Sequence, residues 1–245
     1  ASSLLANNNG SSSGDRTVLN SFVTNLQSSG PAVTIAITNS TDVSCFGGSD
    51  GTATALAGGG TPPINYLWSN GQTTPTAINL SAGFYSVTAT DAIGQNASAN
   101  VIIGQPAQLT SQVAAQTNVS CFGGSNGQAI GSANGGTPPY SYNWSSGANG
   151  SVASNLSAGT YTLSVTDFNN CQSTTIVTIT QPTQLVLVPV SQTNVDCFGN
   201  NSGAATVNPS GGTPPYNIAW PNGTMGPSVQ NLFAGTYTVT VTDGN

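Results

Sequence analysis

Apolar and polar residues alternate with a period of two in short stretches spread along the whole chain. PAVTIAIT (31–38) sets Val33, Ile35 and Ile37 on one side. YSVTATD (85–91), YTLSVTD (161–167) and YTVTVTD (237–243) do the same, and each ends at an Asp followed by turn residues. STTIVTIT (173–180) and LVLVPV (185–190) add further strands. This pattern predicts half-buried β-strands bounded by turns. Gly-Gly-Thr-Pro-Pro interrupts it at 59–63, 135–139 and 211–215, and Pro-Pro next to Gly-Gly is a strong chain break. Helix has no support, because Lys and Glu, two of the main residues of exposed helical faces, are absent.

The stretches recur on a fixed interval of 76 residues. Cys45, Cys121 and Cys197 keep it, as do Trp68, Trp144 and Trp220, Tyr85, Tyr161 and Tyr237, and Asp91, Asp167 and Asp243. A period of this length marks an array of repeated modules. Joints fall near Gln105-Pro106 and Gln181-Pro182. The predicted organisation is a polar segment over 1–30, a first module over 31–106, a second over 107–182 and a third over 183–245, shorter than the period. Six or seven short strands in 76 residues predict an all-β fold, a tandem array of immunoglobulin/PKD-like Greek-key β-sandwich modules. At about 3.3 Å of rise per strand residue each module would be roughly 30–40 Å long, and three in series would make a rod. Within the first segment TVLNSFVTNLQ (17–27) has the β-branched and aromatic character of a strand, so it serves as linker, tail or donor strand.

Charge narrows the functions open to such an array. Only 8 of 245 residues are charged, seven Asp and the single base Arg16, for a net charge of −6. One positive charge cannot track phosphates, so nucleic-acid binding is excluded. There is no basic face for anionic lipid, and no run of eighteen apolar residues to span a bilayer. Without His, Glu or Lys, acid–base and triad chemistry have no agents, and no catalytic residue is assigned. The chain is expected not to be an enzyme.

The recurring residues read mainly as structure. Trp68, Trp144 and Trp220 are predicted core anchors between sheets. Leu-x-Ala-Gly-x-Tyr, ending at Tyr85, Tyr161 and Tyr237, predicts a tyrosine corner whose hydroxyl bonds back to the main chain. Asp91, Asp167 and Asp243 sit where they would cap turns. Calcium is the lesser reading for them, since it needs six to eight oxygens, and no metal or cofactor site is assigned. Cys171 has no counterpart in the first copy, where Gln95 stands. The expected disulfide is Cys121–Cys171, joining the first and last strands of one module. Closing about 50 residues would stabilise by roughly 4 kcal/mol. On this reading Cys45 is free and Cys197 lacks a partner; the alternative is that none of the four is bridged. Tyr140 and Tyr216, beside the Pro-Pro turns, are the candidate glycan contacts.

Three blocks together carry a family resemblance: Cys-Phe-Gly-Gly-Ser-(Asp/Asn)-Gly, then Gly-Gly-Thr-Pro-Pro-Tyr-x-(Tyr/Ile)-x-Trp, then Leu-x-Ala-Gly-x-Tyr-x-(Val/Leu)-x-(Val/Ala)-Thr-Asp. Over residues 31–245 the chain resembles the SprB repeat of Bacteroidota surface adhesins. The resemblance implies an extracellular, cell-surface location, delivery by type IX secretion, and a stalk or filament, in some members a gliding-motility adhesin. The family closes its repeat with Asn-Gly-Cys; here only Asn169-Asn170-Cys171 provides that cysteine.

The leading expectation is therefore a non-enzymatic structural and adhesive protein. Its partners would be neighbouring repeats or other copies of itself. Two alternatives stand beside it. One is a carbohydrate-binding array contacting surface polysaccharide. The other is a self-assembling filament subunit, since its strand edges lack the charges that usually guard them, with residues 17–27 lent to a neighbour.

Overall fold

A computed structural model describes residues 30–245; the candidate donor strand at 17–27 lies outside the described residues. All regular structure among them is β. The first copy contains β1 (Thr34–Thr41), β2 (Gly51–Gly58), β3 (Asn65–Trp68), β4 (Thr76–Leu80), β5 (Gly83–Thr90) and β6 (Asn96–Ile103). The second repeats them as β7 (Thr110–Thr117), β8 (Gly127–Asn134), β9 (Ser141–Trp144), β10 (Val152–Leu156), β11 (Gly159–Thr166) and β12 (Gln172–Ile179). The third has β13 (Val186–Thr193), β14 (Gly203–Ser210), β15 (Asn217–Ala219), β16 (Ser228–Leu232) and β17 (Thr240–Thr242).

Each of the first two copies is a sandwich of two three-stranded antiparallel sheets. In the first they run β1-β2-β4 and β3-β5-β6, and in the second β7-β8-β10 and β9-β11-β12. This is the immunoglobulin-type arrangement reduced to six strands. β3 and β4 are half-length strands. The chain leaves one sheet after Trp68 and enters the other at Thr76, and the tryptophan fills the space under that crossing. Trp68, Trp144 and Trp220 are 1%, 4% and 6% exposed, and each indole Nε1 donates to a carbonyl six residues on, of Thr74, Gly150 and Gly226. The polar end of each ring is thus satisfied within the crossing loop it covers.

Sheet edges close on each other where β1 meets β6. The Val43 amide donates to the Gly104 carbonyl at 3.0 Å, and the Gly104 amide to Asp42 Oδ1 at 2.8 Å. Val119 with Thr180, and Thr180 with Asn118, repeat both bonds in the second copy. A register shift after Ile37, Val113 and Pro189 turns the end of each first strand, and Pro189 is accommodated beside this bulge on an edge strand. Another lies where Asn79, Asn155 and Asn231 take φ of 54°, 56° and 58°, a left-handed conformation that Asn tolerates better than most residues.

Three separate apolar clusters form the cores, one from each copy, centred on Trp68, Trp144 and Trp220. The described residues nevertheless fall into two compact units. One runs to Gln105 but excludes Ser44–Phe46, which cluster with the second, Pro106–Asn245.

Candidate functional site

The most organised polar site is built around the aspartate that ends β5 and its counterparts. In the second copy Asp167, 5% exposed, accepts on Oδ2 from the Thr137 amide at 2.8 Å. Its Oδ1 accepts from the amides of Asn169 and Cys171, each at 2.9 Å. The carboxylate therefore ties the β11–β12 turn to the Gly-Gly-Thr-Pro-Pro turn thirty residues earlier. Phe168 N to Thr137 O, at 2.8 Å, closes the same junction from the backbone. Asp91 does the same with Thr61, Ile93 and Gln95, and Asp243 with Thr213 and Asn245. Burial alone would push the Asp91 carboxyl up. The amides of Thr61, Gln95, Ile93 and Gly94 outweigh that and hold it below the usual carboxylate value.

These contacts explain why glycine stands directly before the threonine. Gly136 has a φ of 60°, and a Cβ built on it would lie 2.6 Å from Asp167 Oδ2. Only a residue without a side chain lets the carboxylate reach the turn. With their oxygens committed to backbone amides, the aspartates act as caps. No group of three His, Cys, Asp or Glu placed to hold a metal occurs among the described residues.

Cys171 follows this hub by four residues, and the structure corrects its expected partner. The disulfide is Cys45–Cys171, with Cα atoms 5.7 Å apart and 126 residues between them in sequence, rather than Cys121–Cys171. Cys121 is a free, exposed thiol, as is Cys197. Strand direction is the reason. Cys171 precedes β12, whereas the Cys121 loop sits beside its far end, where Val119 N meets Thr180 O and Gly123 N meets Gln181 Oε1. Eight strand residues separate the two ends, roughly 26 Å, and a disulfide needs Cα atoms within about 7 Å. The segment that does reach Cys171 is Ser44–Phe46, which packs with the second unit. Asn169 Nδ2 donates to the Ser44 carbonyl at 3.0 Å and so docks the segment at the hub. Asp167, Asn169, Ser44 and the disulfide form one fastened cluster beside Phe46 and Leu109.

The other singled-out residues have local roles. Tyr85, Tyr161 and Tyr237 donate from Oη to the carbonyls of Ser81, Ser157 and Phe233, four residues back, which makes each a tyrosine corner. Tyr140 and Tyr216 are half-buried, and their hydroxyls are bonded to the carbonyls of Gly135 and Gly211 at 2.7 and 2.6 Å. Their polar ends brace the adjacent Gly-Gly turn, which leaves at most the ring faces for a sugar. The Asp–Thr tie across thirty residues was not anticipated. Its only sequence signal is that Asp and Gly-Gly-Thr recur together in all three copies.

Comparison with known proteins follows the same repeats. The family model described as the SprB repeat matches residues 37–73, 113–149 and 190–225. No curated protein sequence matches the chain. Among solved structures, the chain is similar to the three N-terminal domains of the bacteriophage RB49 highly immunogenic outer capsid protein. That match has a TM-score of 0.42 and 16% identity, over 77% of this chain and 75% of that one. It is also similar to the C-terminal 282-residue fragment of intimin, solved with the intimin-binding domain of its translocated receptor. There the TM-score is 0.32 and the identity 18%, over 64% and 66% of the two chains.

Proposed function

Starting from a chain that carries three SprB repeats, we propose that it works outside the cell as a structural and adhesive element. In this role the β-sandwich repeats bear load and hold a binding region away from the surface. The repeats and the disulfide support an extracellular adhesive repeat protein, since disulfides persist in oxidising compartments. The gliding-type adhesin and the surface stalk are the finer forms of this reading, and neither requires catalysis.

One observation carries the mechanical part, the Cys45–Cys171 bond. Tension entering at the start of β1 runs along that strand to Cys45. It then crosses the sulfur bridge to Cys171 and leaves along β12. The intervening residues, which include β2 to β6 and β7 to β11, are outside the covalent load path. Both load-bearing strands are held laterally, β1 by β2 and β12 by β11 across its full length. Both ends of β1 and of β12 lie on the covalent path, so tension pulls on backbone that is already extended and does not separate either strand from its neighbour. Scarcity of charge fits exposure to changing surroundings, because there is little for salt to screen.

Location and adhesion are tested together on living cells. Antibody raised against residues 30–245 is expected to label intact, unpermeabilised cells of the source organism. Deleting the repeats from the parent gene is expected to reduce attachment to surfaces. Label that appears only after permeabilisation would overturn the proposal.

A further inference from the structure

The first copy carries large apolar side chains on the outer face of a sheet where the second copy is polar. In the β3-β5-β6 sheet, Leu67, Phe84 and Ile102 point away from the core and are 57%, 65% and 73% exposed. Phe84 stands directly opposite Ile102, and Leu67 opposite Thr88. The β9-β11-β12 sheet keeps this register with Thr160 opposite Thr178 and Asn143 opposite Ser164. In the third copy Ala219 and Thr236 take the places of Leu67 and Phe84.

The fold therefore has no need of these three residues. An aromatic residue facing a β-branched one steadies its own pair of strands. Yet Thr is also a good strand former, and the polar sheet pairs along the same eight residues as the apolar one. What the exchange adds is apolar surface in water, gathered on one face. Leu56 and Ile78, on the other sheet, are likewise exposed and likewise replaced, by Ser132 and Ser154. They do not face each other across the β2–β4 ladder, so they form no such pair.

The rest of the β3-β5-β6 face says what would cover it. Ser86, Thr88, Ser98, Asn65, Asn96 and Asn100 surround the apolar residues, and no charged residue lies on the three strands. A surface that packs on its own copy in a closed pair has to be self-complementary. Hydroxyls and carboxamides meet that condition, because each both donates and accepts. Without charge on the face, two chains of net charge −6 can also bring it together with no like-charge contact. Eight strand residues by three strands give a face of roughly 26 by 14 Å. Two such faces together cover about 700 Å², short of the roughly 1,200 Å² of a stable complex, so the pairing is weak.

We propose that the outer face of β3-β5-β6 joins two copies of this chain, face to face about a two-fold axis, with Phe84 and Ile102 of each at the centre. The two sheets pack about 10 Å apart, as the layers of a sandwich do. The hydroxyl-covered counterpart on the second copy stays in water. Contacts of this size become lasting where many copies are held side by side.

Sedimentation equilibrium of the intact chain, up to about 1 mM, tests this. The expected result is a monomer–dimer equilibrium with a dissociation constant of roughly 10–500 µM. The triple variant L67N/F84T/I102T gives the first copy the residues with which the second already folds. It should melt as cooperatively as the parent and associate at least tenfold more weakly. The converse variant N143L/T160F/T178I places the same patch on the second copy and should produce species larger than a dimer. A parent chain that stays monomeric at 1 mM, or a triple variant that dimerises as the parent does, would overturn the proposal. So would dimerisation abolished by Phe22→Asp but untouched in the triple variant, which would assign the contact to residues 17–27.

Discussion

Removing the Asp167 carboxylate is expected to destabilise the second copy and to make its disulfide easier to reduce. The side chain accepts three short amide bonds, from Thr137, Asn169 and Cys171, in a site only 5% exposed. Hydrogen bonds to a charged group contribute about 1.5–3 kcal/mol each, and they are not additive within one cluster. Asp167→Ala leaves all three donors without that acceptor and should cost about 3–5 kcal/mol. Asp167→Asn keeps one oxygen for Asn169 and Cys171 but turns an amide NH₂ toward the Thr137 N–H, which should cost about 1.5–3 kcal/mol. Urea unfolding followed by tryptophan fluorescence reads the stability. Because the Cys171 amide is one of the three donors, dithiothreitol should also open the Cys45–Cys171 bond faster in the variant, read by alkylation of the thiols it frees. The reasoning is refuted if Asp167→Ala unfolds within about 0.5 kcal/mol of the parent, with the rate of disulfide reduction unchanged.

Other expectations come from the same contacts. Gly136→Ala should lose about 2–4 kcal/mol, since a Cβ there meets Asp167 Oδ2 at a φ of 60°. Gly147→Ala, whose φ is 89° with open space around it, should lose only the conformational part, about 1 kcal/mol; equal losses in thermal melts would contradict this. Tyr161→Phe removes the bond to the Ser157 carbonyl and should cost about 0.5–1.5 kcal/mol by urea titration. The lowered Asp91 value means that the unfolded chain binds the proton more readily. This contribution to stability is therefore complete above the ordinary carboxylate range and is lost as pH falls through the lowered folded value. Asp91→Asn should flatten that acid limb of the first copy's stability profile; an unchanged limb would refute the assignment.

Much of the fold was legible because each module repeats its own constraints three times. Alternating apolar residues gave the strands. The fixed interval from Thr-Pro-Pro to Trp marked the core, and Leu-x-Ala-Gly-x-Tyr gave a corner whose bond spans only four residues. What escaped were contacts between distant segments. The Asp–Thr tie spans thirty residues, and nothing local to Asp167 names Thr137. The disulfide was misassigned for a related reason. Periodicity says which cysteines are equivalent but not at which end of the sandwich each loop lies. That depends on β3 and β4 being half-strands that cross between sheets in one direction. Six or seven short strands was too coarse a count to settle it. Once the crossing is known, Cys121 and Cys171 fall at opposite ends, and Ser44–Phe46 brings Cys45 to the hub instead.

Single-molecule stretching of the chain, with and without reductant, tests the load-bearing account most directly. With Cys45 joined to Cys171, the 126-residue separation is withheld from extension, about 450 Å of contour at about 3.6 Å per residue. The oxidised protein should therefore extend about 450 Å less than the reduced protein or Cys171→Ser. A difference of about 180 Å would instead indicate a bridge between Cys121 and Cys171. No difference at all would show that the chain carries tension without a covalent bypass, contrary to the mechanism proposed.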